Sequence, residues 1–317
     1  MEMSSPGSNY LGTLNDEYTI VKELDFGASS KVYEVLVNRT GETRAAKIFN
    51  DDCRIMFRKE VEIFNSIANL NCAIRMLTHG KGYVSMEEYE GYKNFIILEL
   101  GKGSILQFQQ KLNKTFSEDA AIYLFYQFMK DVEELHQRGI SHRDLKMENA
   151  ILVGDNLSVK LCDFGSSKSF LNGNNQKIMF KSTTKVGSPF HYPPEILEKK
   201  DYDGEKSDIY SAGIALFSLV TRTFPFPLPE TTSKDQVYKL ICDNKPDEFW
   251  KYIDKDNLLS PQFKDLFIKM VAYNPADRIT LNQIFNHPYL ERLRNPNHET
   301  LAYFRNKVLN ELGNINI

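Results

Sequence analysis

Length, composition and charge describe an ordinary globular chain and exclude several classes of protein. The chain has 317 residues, 42% of them hydrophobic, which suffices for one domain of two lobes or for two small domains. Its formal net charge of −3 gives no electrostatic footprint for nucleic acid and no reason to expect a membrane surface, so we expect neither as a partner.

The N-terminus and the cysteines predict an intracellular protein. The chain begins MEMSSPGSNY, without the charged and then apolar design of a signal peptide, and no run reaches the ~18 apolar residues of a membrane helix. The four cysteines are scattered without the C-x-x-C spacing of a zinc site, and they suggest no disulfide framework. We therefore expect a cytoplasmic location, with the nucleus as the alternative.

In chain order, the hydrophobic pattern changes near residue 100. Residues 18–100 are rich in short alternating apolar runs with one helical stripe, whereas residues 101–290 are dominated by longer helical periodicities. This predicts an α+β chain of two lobes: a small antiparallel-sheet lobe with one helix, then a larger and mainly helical lobe. We expect residues 1–17 to form an N-terminal tail and residues 291–317 to form a C-terminal extension, whose amphipathic part favours packing against the second lobe.

The first lobe carries a lysine near a predicted strand and a glutamate on a predicted helix. Lys47 follows the alternating apolar run 32–37 and so lies near a strand of the sheet. In the segment 57–67 the apolar residues form one helical stripe, with Glu60 beside it. Taken alone, the lysine and the glutamate would be interpreted as an exposed surface pair, which contributes little to stability.

The most informative stretch is residues 142–165, which read HRDLKMENAILVGDNLSVKLCDFG. Asp144 and Asn149 lie five positions apart on a predicted loop, and Asp163 follows a short strand-like run that returns it to the same place. The pattern H-R-D-x-x-x-x-N followed by D-F-G resembles the catalytic and metal-binding loops of eukaryotic protein kinases. Lys146, two positions after Asp144, is typical of the serine/threonine type, and the surrounding residues resemble the calcium/calmodulin-dependent or AMP-activated-like group.

The glycine-rich loop is where the chain departs most from the kinase family. The family pattern is G-x-G-x-x-G-x-V, whereas this chain reads DFGASSKV over residues 25–32. Only the middle glycine, Gly27, is kept, and Asp25 and Ser30 replace the other two. Glycine lets backbone amides approach the phosphates, and the charge of Asp25 would lie near them, so we expect modest affinity for ATP.

A third block, residues 186–195, resembles the end of a kinase activation segment, with His191 where the family has tyrosine. The resemblance implies a structural ion pair between Glu195 and Arg278, and it implies that Asp208 hydrogen-bonds the backbone of the catalytic loop. We assign His191 no chemical role.

The resemblance also implies the cofactors and the roles of the site residues. ATP and Mg²⁺ are the expected cofactors, and proteins are the expected substrates. Asp144 would position the substrate hydroxyl and accept its proton, Lys146 would neutralise the transferring phosphoryl group, and Lys47 would hold the α- and β-phosphates. The resemblance also implies that Lys47 pairs with a helix glutamate, for which Glu60 is the best match and Glu62 the alternative. Asn149 and Asp163 would hold magnesium. The other positions expected to contact or support ATP are Leu24, Gly27, Val32, Ala45, Glu60, Glu99, Gly101 and Ile151.

Control by phosphorylation is a further expectation. Thr184, three residues before Gly187, matches the family's activating phosphothreonine, and Arg143 and Lys168 match the basic residues that meet its phosphate. Ser182 or Thr183 could carry the phosphate instead, and all three could be solvated loop hydroxyls. An upstream kinase is the implied partner.

Two other classes of function compete with an active kinase. A nucleotide-binding pseudokinase scaffold is supported by Asp25 and Ser30. Against it, the four residues on which catalysis depends are all present: Lys47, Asp144, Asn149 and Asp163. A non-enzymatic helical interaction protein would explain the second lobe and none of the motifs upstream of it. The sequence therefore favours a serine/threonine kinase.

Overall fold

Strands dominate the first hundred residues and helices dominate the rest, as the change in hydrophobic pattern predicted. The computed structural model describes residues 10–182, 187–226 and 236–312, and the chain divides into two units. The first unit comprises residues 1–69 and 74–101, and the second comprises residues 70–73 and 102–317. Among the helices in the described ranges, none is long and apolar enough to cross a membrane.

Over the residues described from 10 onward, the first unit is a closed antiparallel barrel with one α-helix. The strands occur around the barrel in the order β1-β2-β3-β4-β6-β5, so each has a partner on both sides. Alternate residues of these strands point inward, and Leu14, Ile20, Val35 and Ala46 are fully buried in its core. The elements are β1 (Gly12–Leu14), β2 (Tyr18–Phe26), β3 (Ser30–Val37), β4 (Thr43–Phe49), α1 (Arg54–Ser66), β5 (Met76–Met86) and β6 (Tyr89–Leu98).

Strand β1 lies in the segment that the sequence assigned to an N-terminal tail. Gly12 pairs with Ile20 of β2 and also with Met86 of β5, so this short strand closes the barrel. Asn15 extends the closure, because its backbone N donates to Tyr83 O (2.8 Å) and its Oδ1 accepts from Tyr83 N (2.7 Å). Three residues are too few to show a strand periodicity, which is why the sequence pattern did not reveal β1.

The second unit is mainly helical and is built around α5. This helix is apolar on nearly every face and is correspondingly buried, as expected for a core helix. Its N-cap, Asp203, accepts hydrogen bonds from Glu205 N and Lys206 N. The helices are α2 (Ile105–Leu112), α3 (Glu118–Gln137), α4 (Pro194–Leu197), α5 (Gly204–Thr221), α6 (Gln236–Cys242), α7 (Pro246–Ile253), α8 (Pro261–Met270), α9 (Leu281–Phe285) and α10 (His298–Leu312).

Short strands in the second unit hold the two loops that carry its motifs. The hairpin β9–β10 also pairs with β7, and β8 pairs with β11. The H-R-D-x-x-x-x-N loop therefore runs from β8 to β9, and the D-F-G loop runs from β10 to β11, so neighbouring strands anchor both. These strands are β7 (Gly103–Ser104), β8 (Ile140–Ser141), β9 (Ala150–Val153), β10 (Ser158–Leu161) and β11 (Lys168–Ser169).

The C-terminal extension forms α10, which packs against α3 as its amphipathic pattern predicted. Phe304, Val308 and Leu312 of α10 are buried, and the Phe304 ring stacks on Tyr123 of α3 with centroids 6.3 Å apart. Tyr303 Oη donates to Asp119 Oδ2 (2.6 Å), at the beginning of α3.

Candidate functional site

Lys47 and Glu60 form a buried ion pair in the first unit. Lys47 Nζ lies 2.7 Å and 2.8 Å from the two carboxylate oxygens of Glu60, and the residues are only 6% and 1% exposed. The pair that the resemblance implies is therefore formed, and the alternative of an exposed surface pair is wrong. Glu62, the alternative partner, is exposed. Burying two charges costs more solvation free energy than an exposed pair does, so the pair is better explained by function than by stability.

Residues predicted to contact ATP share one face of the sheet with Lys47. Val32 on β3 is the direct register partner of Lys47 on β4, so their side chains are cross-strand neighbours. Ala45 lies two residues before Lys47 on the same strand and therefore points to the same face. Leu24 lies on β2, next to an irregularity in the pairing between β2 and β3.

The segment after β6 carries two further residues predicted to contact ATP, Glu99 and Gly101. Glu99 is held at both its backbone and its side chain, because Glu99 N donates to Arg75 O (3.0 Å) and Glu99 Oε1 accepts from Arg75 N (2.8 Å). Gly101 is the last residue of the first unit. Ile151, also predicted to contact ATP, lies on β9 of the second unit.

The glycine-rich loop is the tip of the hairpin between β2 and β3. Gly27 N donates to Ser30 O (2.9 Å) and closes the turn. Asp25 is exposed, and its Oδ1 accepts from Phe26 N (2.8 Å), so the carboxylate bonds to the backbone of its own loop. Ser30 is buried, 5% exposed.

In the second unit, Asp208 holds the backbone of the catalytic loop, as predicted. The carboxylate is fully buried and accepts hydrogen bonds from His142 N and Arg143 N, both at 2.8 Å. It also lies 2.8 Å from His136 Nε2. Burial alone would raise the pKa of Asp208, but the hydrogen bond and charge of His136, with the loop donors, hold it below its ordinary value. Arg143 is thereby kept at a φ of 63°, a strained conformation for a residue other than glycine.

The Asp144 carboxylate is contacted by both Lys146 and Asn149. Lys146 Nζ lies 3.3 Å from Asp144 Oδ2, and Asn149 Nδ2 donates to Asp144 O (2.8 Å) and Oδ2 (3.2 Å). Asp144 is 8% exposed, and its Oδ1 is buried without a hydrogen-bond donor among the described residues. A buried acceptor left without a donor costs free energy, so its presence calls for a functional explanation.

Asp163 lies beside Asn149, because Cys162 N donates to Asn149 O (3.0 Å) just before it. The side chain of Asp163 is exposed, and its φ of 60° is again in the left-handed region. Phe164, the next residue, is fully buried against His142. Asn149 uses its amide nitrogen on Asp144, which leaves its Oδ1 directed away from that contact. Carboxylate and amide oxygens are ligands that Mg²⁺ prefers, so the two side chains fit the metal that the sequence predicted.

Arg143 and Lys168, predicted to be regulatory, converge on one aromatic ring. The Arg143 guanidinium lies 5.3 Å and Lys168 Nζ lies 5.0 Å from the centroid of the buried Phe180 ring. Arg143 Nε also donates to Ser166 O (2.6 Å). Thr184 and Thr183 lie outside the described residues. Ser182 is described, and its Oγ donates to Ile196 O (3.1 Å).

The predicted structural pair of Glu195 and Arg278 is formed. The guanidinium binds both carboxylate oxygens, at 2.7 Å and 2.6 Å, across 83 residues of sequence. Arg278 also donates to the backbone carbonyls of Ala272 (2.8 Å) and Lys206 (3.0 Å), so its donors are well satisfied although only 2% of the residue is exposed.

Sequence reasoning missed two residues that support the site. His136 contacts Asp208, and a histidine on the apolar face of α3 was the only signal for it. Ser188 Oγ accepts a hydrogen bond from Lys146 Nζ at 2.7 Å, and no local pattern connects two residues that lie 42 positions apart.

Comparisons with known proteins agree with this arrangement. A family model described as the protein kinase domain matches residues 18–290. The chain is 31% identical to serine/threonine-protein kinase SAPK9 of Oryza sativa subsp. japonica over 281 residues, which cover 86% of this chain and 72% of that protein. It is 30% identical to an Aurora kinase of Eremothecium gossypii, covering 87% of this chain and 70% of that kinase.

A third relative is longer than this chain. CBL-interacting protein kinase 11 of Oryza sativa subsp. japonica is 31% identical over 275 residues, which cover 86% of this chain. The match spans only 51% of that kinase, so about half of its length has no counterpart in the matched region.

Proposed function

This chain belongs to the protein kinase family, and from that membership we propose that Asp144 accepts the proton of a substrate hydroxyl during phosphoryl transfer. Its relatives and its motifs are those of ATP-dependent serine/threonine kinases, which use Mg²⁺ and act on proteins. One observation carries the assignment of Asp144: its Oδ2 is held by Lys146 and Asn149, while its buried Oδ1 has no donor among the described residues.

The proposed reaction is a single displacement at the γ-phosphorus of ATP. The serine or threonine oxygen bonds to that phosphorus and gives its proton to Asp144 Oδ1. The bond from the γ-phosphorus to the bridging oxygen breaks, and ADP leaves with the electron pair. Lys146, between Asp144 and Ser188, offers positive charge to the transferring group.

The other residues of the predicted site are proposed to bind ATP and its metal ion. We propose that Lys47, oriented by Glu60, binds the α- and β-phosphates. Asn149 and Asp163 would hold Mg²⁺, which supplies positive charge to the phosphate oxygens. Leu24, Val32, Ala45 and the backbone at Glu99 and Gly101 would contact the nucleotide in the first unit.

Replacing Asp144 tests this proposal. Asp144→Asn keeps the shape of the side chain but removes its basicity, so kcat should fall by roughly 10²- to 10⁴-fold. The assay is phosphate transfer from ATP with Mg²⁺ to a degenerate serine/threonine peptide array. Asp155→Asn, at a fully exposed aspartate on the β9–β10 turn, is the matched control and should keep wild-type activity.

Two results would contradict the proposal. Near wild-type turnover by Asp144→Asn, with an unchanged unfolding curve, would remove Asp144 from the reaction. A wild-type protein that binds ATP but transfers nothing would instead favour a pseudokinase scaffold, the function that Asp25 and Ser30 support.

We further propose that a phosphate on Thr184, added by an upstream kinase, activates the enzyme through Arg143 and Lys168. Support comes from the two cations, which lie 5.3 Å and 5.0 Å from the centre of the same Phe180 ring. Both cations lie at this one ring, and a phosphate there would bring about −1.5 to −2 charges and strong hydrogen-bond acceptors to them. Arg143 can also bind a phosphate through a bidentate fork.

We also propose a location in the cytoplasm or the nucleus. All four cysteines are free thiols, which supports a reducing compartment. The net charge of −3 supports proteins rather than nucleic acid as the macromolecular partners. Imaging of a fluorescently labelled full chain tests the location, and an exported protein would contradict it.

A further inference from the structure

Asn50 ties down the tip of the β2–β3 hairpin. This residue follows the end of β4 and reaches the tip with two donors. Its backbone N donates to Ser29 O (2.9 Å), and its side-chain Nδ2 donates to Ala28 O (3.1 Å). One residue outside the loop therefore binds two consecutive carbonyls of the loop.

These two bonds also set the direction of the next two amides. In a trans peptide unit the N–H of one residue points opposite to the C=O of the residue before it. Since the carbonyls of Ala28 and Ser29 point to Asn50, the N–H groups of Ser29 and Ser30 are directed away from Asn50. Consecutive amides that point the same way are the arrangement that binds phosphate oxygens.

The hydrogen bonds from Asn50 matter more in this loop because two of the family's three glycines are absent. A loop with three glycines can adjust its backbone to the phosphates, but here Asp25 and Ser30 occupy two of those positions. Ser30 is also buried and lies opposite Phe49, so the loop is fixed at its β3 end as well. A loop with little freedom to adjust has to be held in a binding geometry from outside, and Asn50 is the residue that does so.

We propose that Asn50 is a positioning residue for the terminal phosphates of ATP, which acts by fixing the hairpin tip so that the amides of Ser29 and Ser30 face them. The inference rests on the proposed function, because it requires ATP as the bound nucleotide. Asn50 does not touch the phosphates itself. Its removal should therefore weaken the binding of phosphate groups and leave the binding of the nucleoside unchanged.

The test is Asn50→Asp in the full chain. Aspartate has the same shape but no N–H donor, and its charge repels Ala28 O, while the backbone bond to Ser29 O is kept. Loss of one such hydrogen bond should raise the KM and the Kd for ATP by roughly threefold to tenfold. We expect kcat and the Kd for adenosine to be retained.

Asn38→Asp is a matched control from the other end of the same two strands. Asn38 also donates its Nδ2 to a backbone carbonyl, that of Asp16 (2.8 Å), and its backbone N to Glu17 O (2.9 Å). It lies outside the proposed binding residues, so ATP affinity should stay at the wild-type value. Thermal unfolding of both variants measures any general loss of stability.

The outcomes separate this inference from the proposed function. An equal loss of ATP and adenosine affinity in Asn50→Asp would show a general structural role and overturn the inference. Unchanged ATP affinity in Asn50→Asp, with an active wild-type enzyme, would overturn it and leave the kinase assignment in place. If the wild type binds ATP but transfers no phosphate, the proposed function fails, while the comparison of ATP with adenosine still decides the role of Asn50.

Discussion

At the residue scale, His191 is an uncharged histidine in a position where kinases have tyrosine. It is 3% exposed, and neither ring nitrogen has a hydrogen-bond partner among the described residues. Its ring meets Phe224 edge-on, with centroids 5.6 Å apart. Burial lowers the pKa of His191 from 6.5 to about 4, with Asp144 opposing that shift and Lys146 adding to it. The ring therefore packs in its neutral form.

This burial predicts a measurable sensitivity to acid. Because the folded pKa lies below the ordinary value of 6.5, the contribution of His191 to stability is complete above pH 6.5 and is lost as the pH falls towards 4. A shift from 6.5 to about 4 corresponds to about 3 kcal/mol in the free energy of unfolding. His191→Phe should remove this component, which urea unfolding of both proteins at several pH values in this window would measure.

The control for this prediction is His298→Phe, since His298 is exposed at the start of α10 and should not contribute to the difference. If the free energy of unfolding of His191→Phe changed with pH in parallel with that of the wild type, the buried ring would not titrate on unfolding in this range.

At the element scale, α10 lies beyond the residues matched by the kinase family and packs against α3 of the second unit. The family match ends at residue 290, and α10 begins at His298. Its buried side chains pack on α3, the helix that leads towards the catalytic loop through β8. Asp119, in the first turn of α3, binds both Arg292 (2.7 Å) and Tyr303 (2.6 Å), so the contact has polar as well as apolar parts.

We predict that Phe304→Ala destabilises the second unit. The side chain is fully buried, and truncating a buried phenylalanine costs about 3–5 kcal/mol of the free energy of unfolding. Asn306→Ala, at an exposed position on the same helix, is the control and should change stability very little. Urea unfolding measures both. A small loss in Phe304→Ala, comparable to the control, would mean that α10 is not an integral part of the fold.

At the scale of the whole molecule, activity should depend on the state of the activation segment. Arg143 belongs to the catalytic loop and Lys168 follows the D-F-G loop, so a phosphate between them would join the two loops that carry the catalytic and metal-binding residues. A unit charge pair at ~4 Å and an effective dielectric constant of ~20 is worth ~4 kcal/mol before desolvation and ordering costs, which reduce it.

We predict that Thr184→Ala is at least roughly tenfold slower than the wild type isolated in its active form, which corresponds to ~1.4 kcal/mol of lost stabilisation. Mass spectrometry of the active protein locates the phosphate, and Thr183→Ala and Ser182→Ala are the matched controls. Full activity in Thr184→Ala, with no phosphate in the segment, would contradict this mode of control. If Thr183→Ala or Ser182→Ala lost activity instead, the activating phosphate would be assigned to that residue.

Much of the site could be predicted from the sequence because catalysis restricts residue type and spacing together. The pairs Lys47–Glu60 and Glu195–Arg278, and the bonds from Asp208 to the catalytic loop, are all formed as the motifs predicted. The burial of Lys47 and Glu60 could not be read from a pattern, since an exposed pair would have the same two residues at the same spacing.

By itself, the sequence determined the family, the α+β class and the residue types at the reacting centre, because each depends on local periodicity or on side chains at fixed intervals. Only the tertiary structure decided that β1 closes the barrel, that Ser188 binds Lys146 and that Asn50 holds the hairpin tip. These contacts join segments too short to show a period, or they bond polar side chains to distant hydroxyl or carbonyl oxygens. A backbone carbonyl is present at every residue, so the sequence carries no mark of which one a distant side chain will bind.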